Sequence, residues 1–235
     1  WLPPGYEFYC ASPVAVGSEV SFIMDSPLVY GGSTWPALTI GSTSSGTVAT
    51  YKRYRVWVER NAWTDWTADS GNAIIGARIA NVLASDIEIH LAYRFTIGVQ
   101  LYSNTQGIAY NTFRLNRIID CRIGLELRAV TSAGWCNENL FLGGSFNAAS
   151  AIAQHTNRNA EIIAISIGPE ALYSHNKNTF LKPSFELGYA AIVAASGAGT
   201  VIPIKIGAGS GNTFLDCRSE NSDPTYIATI VGAAS

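Results

Sequence analysis

Acidic residues recur at a fixed distance after a repeated phenylalanine. The motif Asn-x-Phe occurs at Asn111-Thr-Phe113, Asn139-Leu-Phe141, Asn178-Thr-Phe180 and Asn212-Thr-Phe214. In the last three repeats the residue six positions after the phenylalanine is Asn147, Glu186 or Glu220. In the first repeat Asp120 lies seven positions after Phe113. Two carboxylates on neighbouring strands can act on a glycosidic bond, one as acid and the other as nucleophile or base. Glu186, Glu220 and Asp120 are therefore candidate catalytic residues and Asn147 a candidate substrate-binding residue. A solvated polar edge is the alternative interpretation.

Two tryptophans in Trp63-Thr-Asp-Trp66 are candidate substrate-binding residues. An indole combines a large apolar face with one hydrogen-bond donor, so the pair could offer flat platforms to sugar rings. Burial in an N-terminal cap or in a subunit interface is the competing interpretation.

The histidines and cysteines do not form a pattern that predicts a metal or cofactor site. His90, His155 and His175 lie in unrelated sequence contexts, which favours ordinary surface roles over a triad. The cysteines are widely spaced without a Cys-x-x-Cys motif, which argues against zinc and against a dense disulfide framework. We therefore expect no metal and no cofactor.

An internal repeat decides the expected architecture. Phe95 to Leu101 matches Cys121 to Leu127, and the same offset carries Ser85 to Ile89 onto Asn111 to Leu115. Ile163 to Gly168 recurs as Ile202 to Gly207 at a longer offset, which indicates loops inserted at the corners. Two motifs that keep one register are typical of a solenoid, in which each coil stacks on the next.

Within the repeats, apolar and polar residues alternate as they do in β-strands. Apolar residues at Ile163, Ile165 and Ile167 predict a strand with one buried face. In Asn-x-Phe both named residues should face inward, with phenylalanines stacked between coils and asparagines in the left-handed backbone region at a corner. Recurrent Ile-Gly pairs should mark turns without Cβ crowding. The fold predicted is all-β, a right-handed parallel β-helix of single-stranded coils of about 26 residues with corner insertions.

Amino-acid composition divides the chain into two parts. Residues 1–71 are rich in Trp and Tyr and are predicted to form the opening coils or an N-terminal cap of the solenoid, with a separate small β domain as the alternative. Residues 72–235 are predicted to form the β-helix, and we expect the helix to continue beyond the chain end.

Composition excludes several classes of function. Charged residues are 14% of the chain, the net charge is −2, and the longest basic run is Lys52-Arg53-Tyr54-Arg55, so no nucleic-acid partner is expected. Apolar stretches such as Tyr189 to Ala195 are much shorter than the ~20 residues that cross a bilayer, so no membrane insertion is expected.

The segments Asn178 to Glu186 and Asn212 to Glu220 resemble coils of pectate-lyase-like β-helix proteins, most of all bacteriophage tailspikes and tail-fibre depolymerases. The resemblance covers roughly residues 72 to 220. It implies a homotrimer, located in the virion or outside the cell, that binds and often cleaves bacterial surface polysaccharide. A non-catalytic structural or adhesive trimeric module and a secreted bacterial polysaccharide lyase are the alternatives.

Overall fold

The computed structural model describes residues 4–44, 46–61, 74–104, 106–148, 161–170, 175–188 and 200–220. These residues form strands and no helix, and every strand pairing among them is parallel. The all-β, parallel class predicted from the repeats is therefore confirmed.

The described strands form three sheets. The first contains β1 (Phe8–Cys10), β3 (Phe22–Ile23), β4 (Leu28–Tyr30), β7 (Arg53–Arg60), β10 (Asp86–Tyr93), β13 (Thr112–Ile119), β16 (Leu140–Asn147), β18 (Thr179–Leu181), β19 (Ser184–Glu186), β21 (Thr213–Leu215) and β22 (Arg218–Glu220). The second contains β2 (Val14–Val16), β5 (Leu38–Gly41), β8 (Ile75–Ala80), β11 (Ile97–Ser103), β14 (Ile123–Ala129), β17 (Ile162–Ile167) and β20 (Val201–Ile206). The third contains β6 (Ala49–Thr50), β9 (Val82–Leu83), β12 (Gly107–Ala109) and β15 (Trp135–Asn137).

Between β7 and β16 the chain passes through the first, second and third sheets in a fixed order and then returns to the first. The predicted register is confirmed in two sheets, because Asp86 pairs with Thr112 and Ile97 with Ile123, both at the offset of the shorter repeat. Ile163 pairs with Ile202, as the longer repeat predicts. Strands on both sides of residue 71 share these sheets, since β5 pairs with β8 and β7 with β10.

A phenylalanine stack runs through the core. The rings of Phe113 and Phe141 lie 4.8 Å apart, those of Phe141 and Phe180 4.3 Å, and those of Phe180 and Phe214 4.6 Å, with interplanar angles of 5–11°. The first three rings are buried and Phe214 is half-buried. The predicted inward stack is confirmed.

The asparagines of Asn-x-Phe form a ladder beside the phenylalanines, in which Asn111, Asn139 and Asn178 are buried and Asn212 is half-buried. Each side-chain amide donates to the Oδ1 atom of the next asparagine at 3.0 Å, in the order Asn111, Asn139, Asn178 and Asn212. The prediction that these asparagines adopt the left-handed region was wrong. The preceding residues adopt it, with φ values of 57° at Tyr110, 55° at Glu138 and 55° at Lys177. That turn places the asparagine side chain inside the corner.

The Ile-Gly pairs of β8, β11 and β14 lie within strands rather than at turns, so that part of the prediction was wrong. Crowding is nevertheless the reason for glycine. A Cβ on Gly124 would lie 2.6 Å from Cδ1 of Phe146 and 2.7 Å from the carbonyl oxygen of Ala164. The predicted single buried face of β17 was also wrong, because consecutive residues such as Ala164 and Ile165 both belong to the core. Ile163 instead packs in a second cluster of buried residues, with Ile75, Ile97, Ile123 and Ile202.

Tyr54 allows a test of the core of the first sheet. Its side chain is 1% exposed, and its hydroxyl has no hydrogen-bond partner in the described part of the chain. Burial, assisted by Glu19, raises the pKa of Tyr54 to about 12. Because the unfolded tyrosine ionises near pH ~10, the stability of the parent should fall as the pH rises from there towards the folded pKa.

Replacing Tyr54 by phenylalanine should raise the free energy of unfolding by about 1 kcal/mol near neutral pH, since it removes a buried group without a partner. The variant should also lose part of the alkaline sensitivity. Urea unfolding of parent and variant at neutral and alkaline pH measures both effects. A destabilised variant would show that the hydroxyl is hydrogen-bonded in solution, and an unchanged alkaline profile would show that burial does not raise the pKa of Tyr54.

Candidate functional site

Three of the predicted site residues lie side by side on the first sheet. Asn147 of β16 pairs with Glu186 of β19, and Glu186 pairs with Glu220 of β22. Paired backbones in a sheet are about 4.8 Å apart. The Asn147 amide donates to Oε2 of Glu186 at 3.3 Å, and the Glu220 carboxylate contacts the guanidinium of Arg218. The two glutamates are thus neighbours, as the repeat predicts.

Asp120 lies outside this column. The residue that pairs with Asn147 is Ile119, six residues after Phe113. Asp120 follows it in the left-handed region with a φ of 54°, its side chain is 1% exposed, and its amide donates to the carbonyl oxygen of Asn147 at 2.6 Å. A carboxyl group buried at this corner cannot meet a polymeric substrate without local opening. Trp63 and Trp66 lie outside the described residues.

A strip of small and cationic side chains borders the glutamates. Arg117, Ser145, Ser184 and Arg218 pair in this order across β13, β16, β19 and β22. The two arginines are exposed and the two serines between them are half-buried. We call these four residues the serine strip. Its short central side chains leave a low floor between two guanidinium groups, beside the Asn147–Glu186–Glu220 column.

The serine strip was not predicted, although the sequence contains its signal. Its members lie four residues after each phenylalanine of the Asn-x-Phe motif, whereas the predicted site residues lie six or seven residues after it. The serine strip adds hydrogen-bond donors, which the two ionised carboxylates lack. Guanidinium groups donate up to five hydrogen bonds in a fixed geometry and serine hydroxyls both donate and accept, a combination that suits a hydroxyl-rich or acidic polymer.

A second set of polar side chains occupies the outer face of the same sheet nearer the N-terminus. Arg55 lies 2.6 Å from Asp25 and 3.0 Å from Glu88, and Arg114 contacts Asp86. Hydrogen bonds from Arg55 to Glu88 and Asp25 raise the pKa of the guanidinium. Asp86, Glu88, Arg55 and Arg114 line a depression of about 380 Å³. We call this set the charged face. Because each acid is already paired with an arginine, the charged face is less available for acid and base chemistry than the two glutamates.

Comparison with protein-family models, with curated proteins and with solved structures gives no match.

One histidine lies elsewhere than predicted. His175 was expected at the surface, but its side chain is fully buried and its Nε2 atom lies 2.7 Å from Oε1 of Glu170. The same carboxylate oxygen accepts from the amide of Ala129 at 3.0 Å. These contacts join Glu170, in the connection after β17, to His175 and to the end of β14.

Among the described residues, no group of three or more His, Cys, Asp or Glu side chains is arranged to hold a metal ion. In the same part of the chain, no helix has the length and hydrophobicity needed to span a bilayer.

Proposed function

We propose that this chain is a right-handed parallel β-helix of the pectate-lyase-like kind, from a bacteriophage tailspike or tail fibre, and that it binds and hydrolyses bacterial surface polysaccharide. The solenoid is supported by the fixed order in which the chain passes through three parallel sheets and by the repeated return to the same register. The right-handed sense follows from the rule for parallel crossover connections.

The observation that carries the proposed activity is the direct pairing of Glu186 with Glu220 beside the serine strip. With backbones about 4.8 Å apart, their carboxyl groups can approach the ~5–5.5 Å separation of glycosidases that retain anomeric configuration. Glu220 contacts a cation, Arg218, which suits a carboxylate nucleophile. Glu186 is the other carboxyl group of the pair, and its described side-chain contact is the neutral amide of Asn147 rather than a cation, so we assign it as the acid that protonates the leaving oxygen.

The serine strip supplies the binding surface in this proposal. A sugar chain lying along Ser145 and Ser184 would meet Arg117 and Arg218 at the two ends and the glutamates at one side. Asn147 would bind the unit next to the cleaved bond.

We also propose a homotrimer, located in the virion or outside the cell. An apolar column, Leu142, Leu181 and Leu215, lies on the other side of the serine strip, and Leu215 is 48% exposed. Such a column on an outer sheet face supports a protein interface, which would make a neighbouring subunit the second wall of the groove.

The test replaces Glu186 and Glu220 singly by glutamine in the full-length protein. Each change should lower the release of reducing ends from capsular or lipopolysaccharide preparations by about 100-fold or more, because it removes an acid or a nucleophile while keeping the shape of the side chain. Affinity for the same polysaccharide should stay within about threefold, since the amide still forms hydrogen bonds to hydroxyls.

Glu19→Gln is the matched control, because Glu19 is an exposed glutamate of a different region. It should cleave at the parent rate, and all variants should sediment like the parent. Parent-like cleavage by both site variants would contradict the assignment of the pair. A parent protein that binds polysaccharide without cleaving it would contradict the hydrolase and favour an adhesive module.

A further inference from the structure

Two exposed tyrosines flank a small residue where the chain passes from the third sheet to the first. Tyr51, Ala84 and Tyr110 each follow a strand of the third sheet and each has a left-handed backbone, with φ values of 56°, 47° and 57°. The amide of Tyr51 donates to Leu83 and that of Ala84 to Ala109, so the three residues occupy the same position on adjacent levels. Two residues later, Arg53, Asp86 and Thr112 are paired in the first sheet.

The two rings are among the most exposed in the described residues. Tyr51 is 85% exposed and Tyr110 63%, whereas the alanine between them is half-buried. The Tyr110 hydroxyl hydrogen-bonds to Glu138 on the following level, and Glu138 lies 3.7 Å from Lys177. The polar partner of Tyr110 thus lies on the following level, and on its other side the short side chain of Ala84 separates it from Tyr51, which leaves a gap between the two tyrosine positions.

The spacing between the backbones of Tyr51 and Tyr110 indicates the class of ligand that could lie between their side chains. Two strand spacings separate the tyrosine backbones by about 9.6 Å. A planar ring held by carbon contacts of ~3.5–4 Å on both faces would need only about 7–8 Å. A puckered, saturated ring with substituents is thicker and fits the larger spacing. Aromatic faces favour apolar C–H surfaces, and a pyranose presents such surfaces together with hydroxyl groups.

Hydroxyl partners lie at the edge of the gap. Asp86 follows Ala84 by two residues and Arg53 follows Tyr51 by two, so both lie about 6.7 Å further along their strands. Their charged groups are 3.9 Å apart, and the Arg53 side chain is 73% exposed. A sugar ring above Ala84 would therefore reach a donor and an acceptor.

We propose that Tyr51 and Tyr110 hold one pyranose unit of a polysaccharide over Ala84, with Arg53 and Asp86 binding its hydroxyls. The proposal rests on the polysaccharide-binding function above and adds a binding site distant from the paired glutamates.

The experiment measures binding of capsular and O-antigen polysaccharides from a strain panel by titration calorimetry, using the Glu186→Gln full-length protein so that cleavage does not interfere. Tyr51→Ala and Tyr110→Ala should each weaken affinity by about tenfold, the effect of losing one aromatic contact. Ala84→Leu should weaken it as strongly, because the added side chain fills the gap while both tyrosines remain. Tyr51→Phe should bind within about twofold of the parent, since the ring is kept.

Tyr6→Ala is the control, because Tyr6 is 68% exposed and belongs to another part of the surface. Parent-like affinity in the Tyr51, Tyr110 and Ala84 variants, with cleavage still dependent on the glutamates, would overturn this site alone. A parent that binds no polysaccharide of the panel would overturn the proposed function together with it. Equal loss in Tyr6→Ala would show a general effect of exposed rings and would also overturn the site.

Discussion

Replacing Phe141 by alanine is expected to lower the free energy of unfolding by about 3–5 kcal/mol. The ring is 1% exposed and lies between two parallel rings, 4.8 Å from Phe113 and 4.3 Å from Phe180. Truncation removes the buried ring and leaves a cavity whose walls are the two neighbouring rings. Those neighbours are fixed by backbone pairing on both sides, so the cavity cannot close easily.

A graded series tests this explanation. Phe214→Ala should cost markedly less than Phe141→Ala, because Phe214 is half-buried and stacks on one described ring, Phe180, at 4.6 Å. Phe141→Leu should cost an intermediate amount, since it retains apolar volume but loses the stacking. Urea unfolding followed by near-ultraviolet circular dichroism measures all three. Equal costs at Phe141 and Phe214 would show that stability is not determined by burial within the stack.

The stack and its register could be predicted from sequence because repeated strands that pair in parallel and in register place equivalent residues in contact. Asp86 meets Thr112 and Ile97 meets Ile123 at the offset that the repeats contain. Where the loops between strands change length, paired residues no longer keep a constant offset in the sequence. Ile75 pairs with Ile97 at a shorter offset and Ile123 with Ile163 at a much longer one, and no common period connects these pairs.

In the candidate site, too, some residues could be placed from the repeat and others could not. Glu186 and Glu220 keep a constant distance from a stacked phenylalanine, so their pairing could be predicted. Asp120 was misplaced because the neighbouring position, Ile119, keeps that distance and the chain turns one residue later. The charged face was missed because Arg55 lies in the opening part of the chain, where no repeated motif fixes its register against Glu88.

The other large effect is expected at Asn139, in the middle of the asparagine ladder. Its Oδ1 atom accepts from the amide and from Nδ2 of Asn111, and its own Nδ2 donates to Ile108 at 2.9 Å and to Asn178 at 3.0 Å. Its side chain is 1% exposed. Asn139→Asp keeps the shape and the accepting oxygen but replaces two donor hydrogens by a second acceptor.

At pH 7 this change should cost about 3–5 kcal/mol, because the introduced carboxylate is buried and faces two oxygens. Burial and the facing oxygens favour the protonated form, so the folded pKa of the new group should lie well above its unfolded value of ~3.9. Between these two pKa values the folded state binds more protons, and stability falls as the pH rises. The cost should therefore decrease by up to about 1.4 kcal/mol for each unit of acidification in that range.

Asn139→Leu separates the charge from the lost hydrogen bonds. It also leaves the groups of Asn111 and Asn178 without their partner, but it cannot titrate, so its cost relative to the parent should not change between pH 4 and pH 8. Unfolding of the three proteins over this range gives the difference directly. If the aspartate and leucine substitutions showed the same pH profile, the ladder would have to be open to water at Asn139. Its contribution to stability would then come from packing beside the phenylalanines rather than from the buried amide hydrogen bonds.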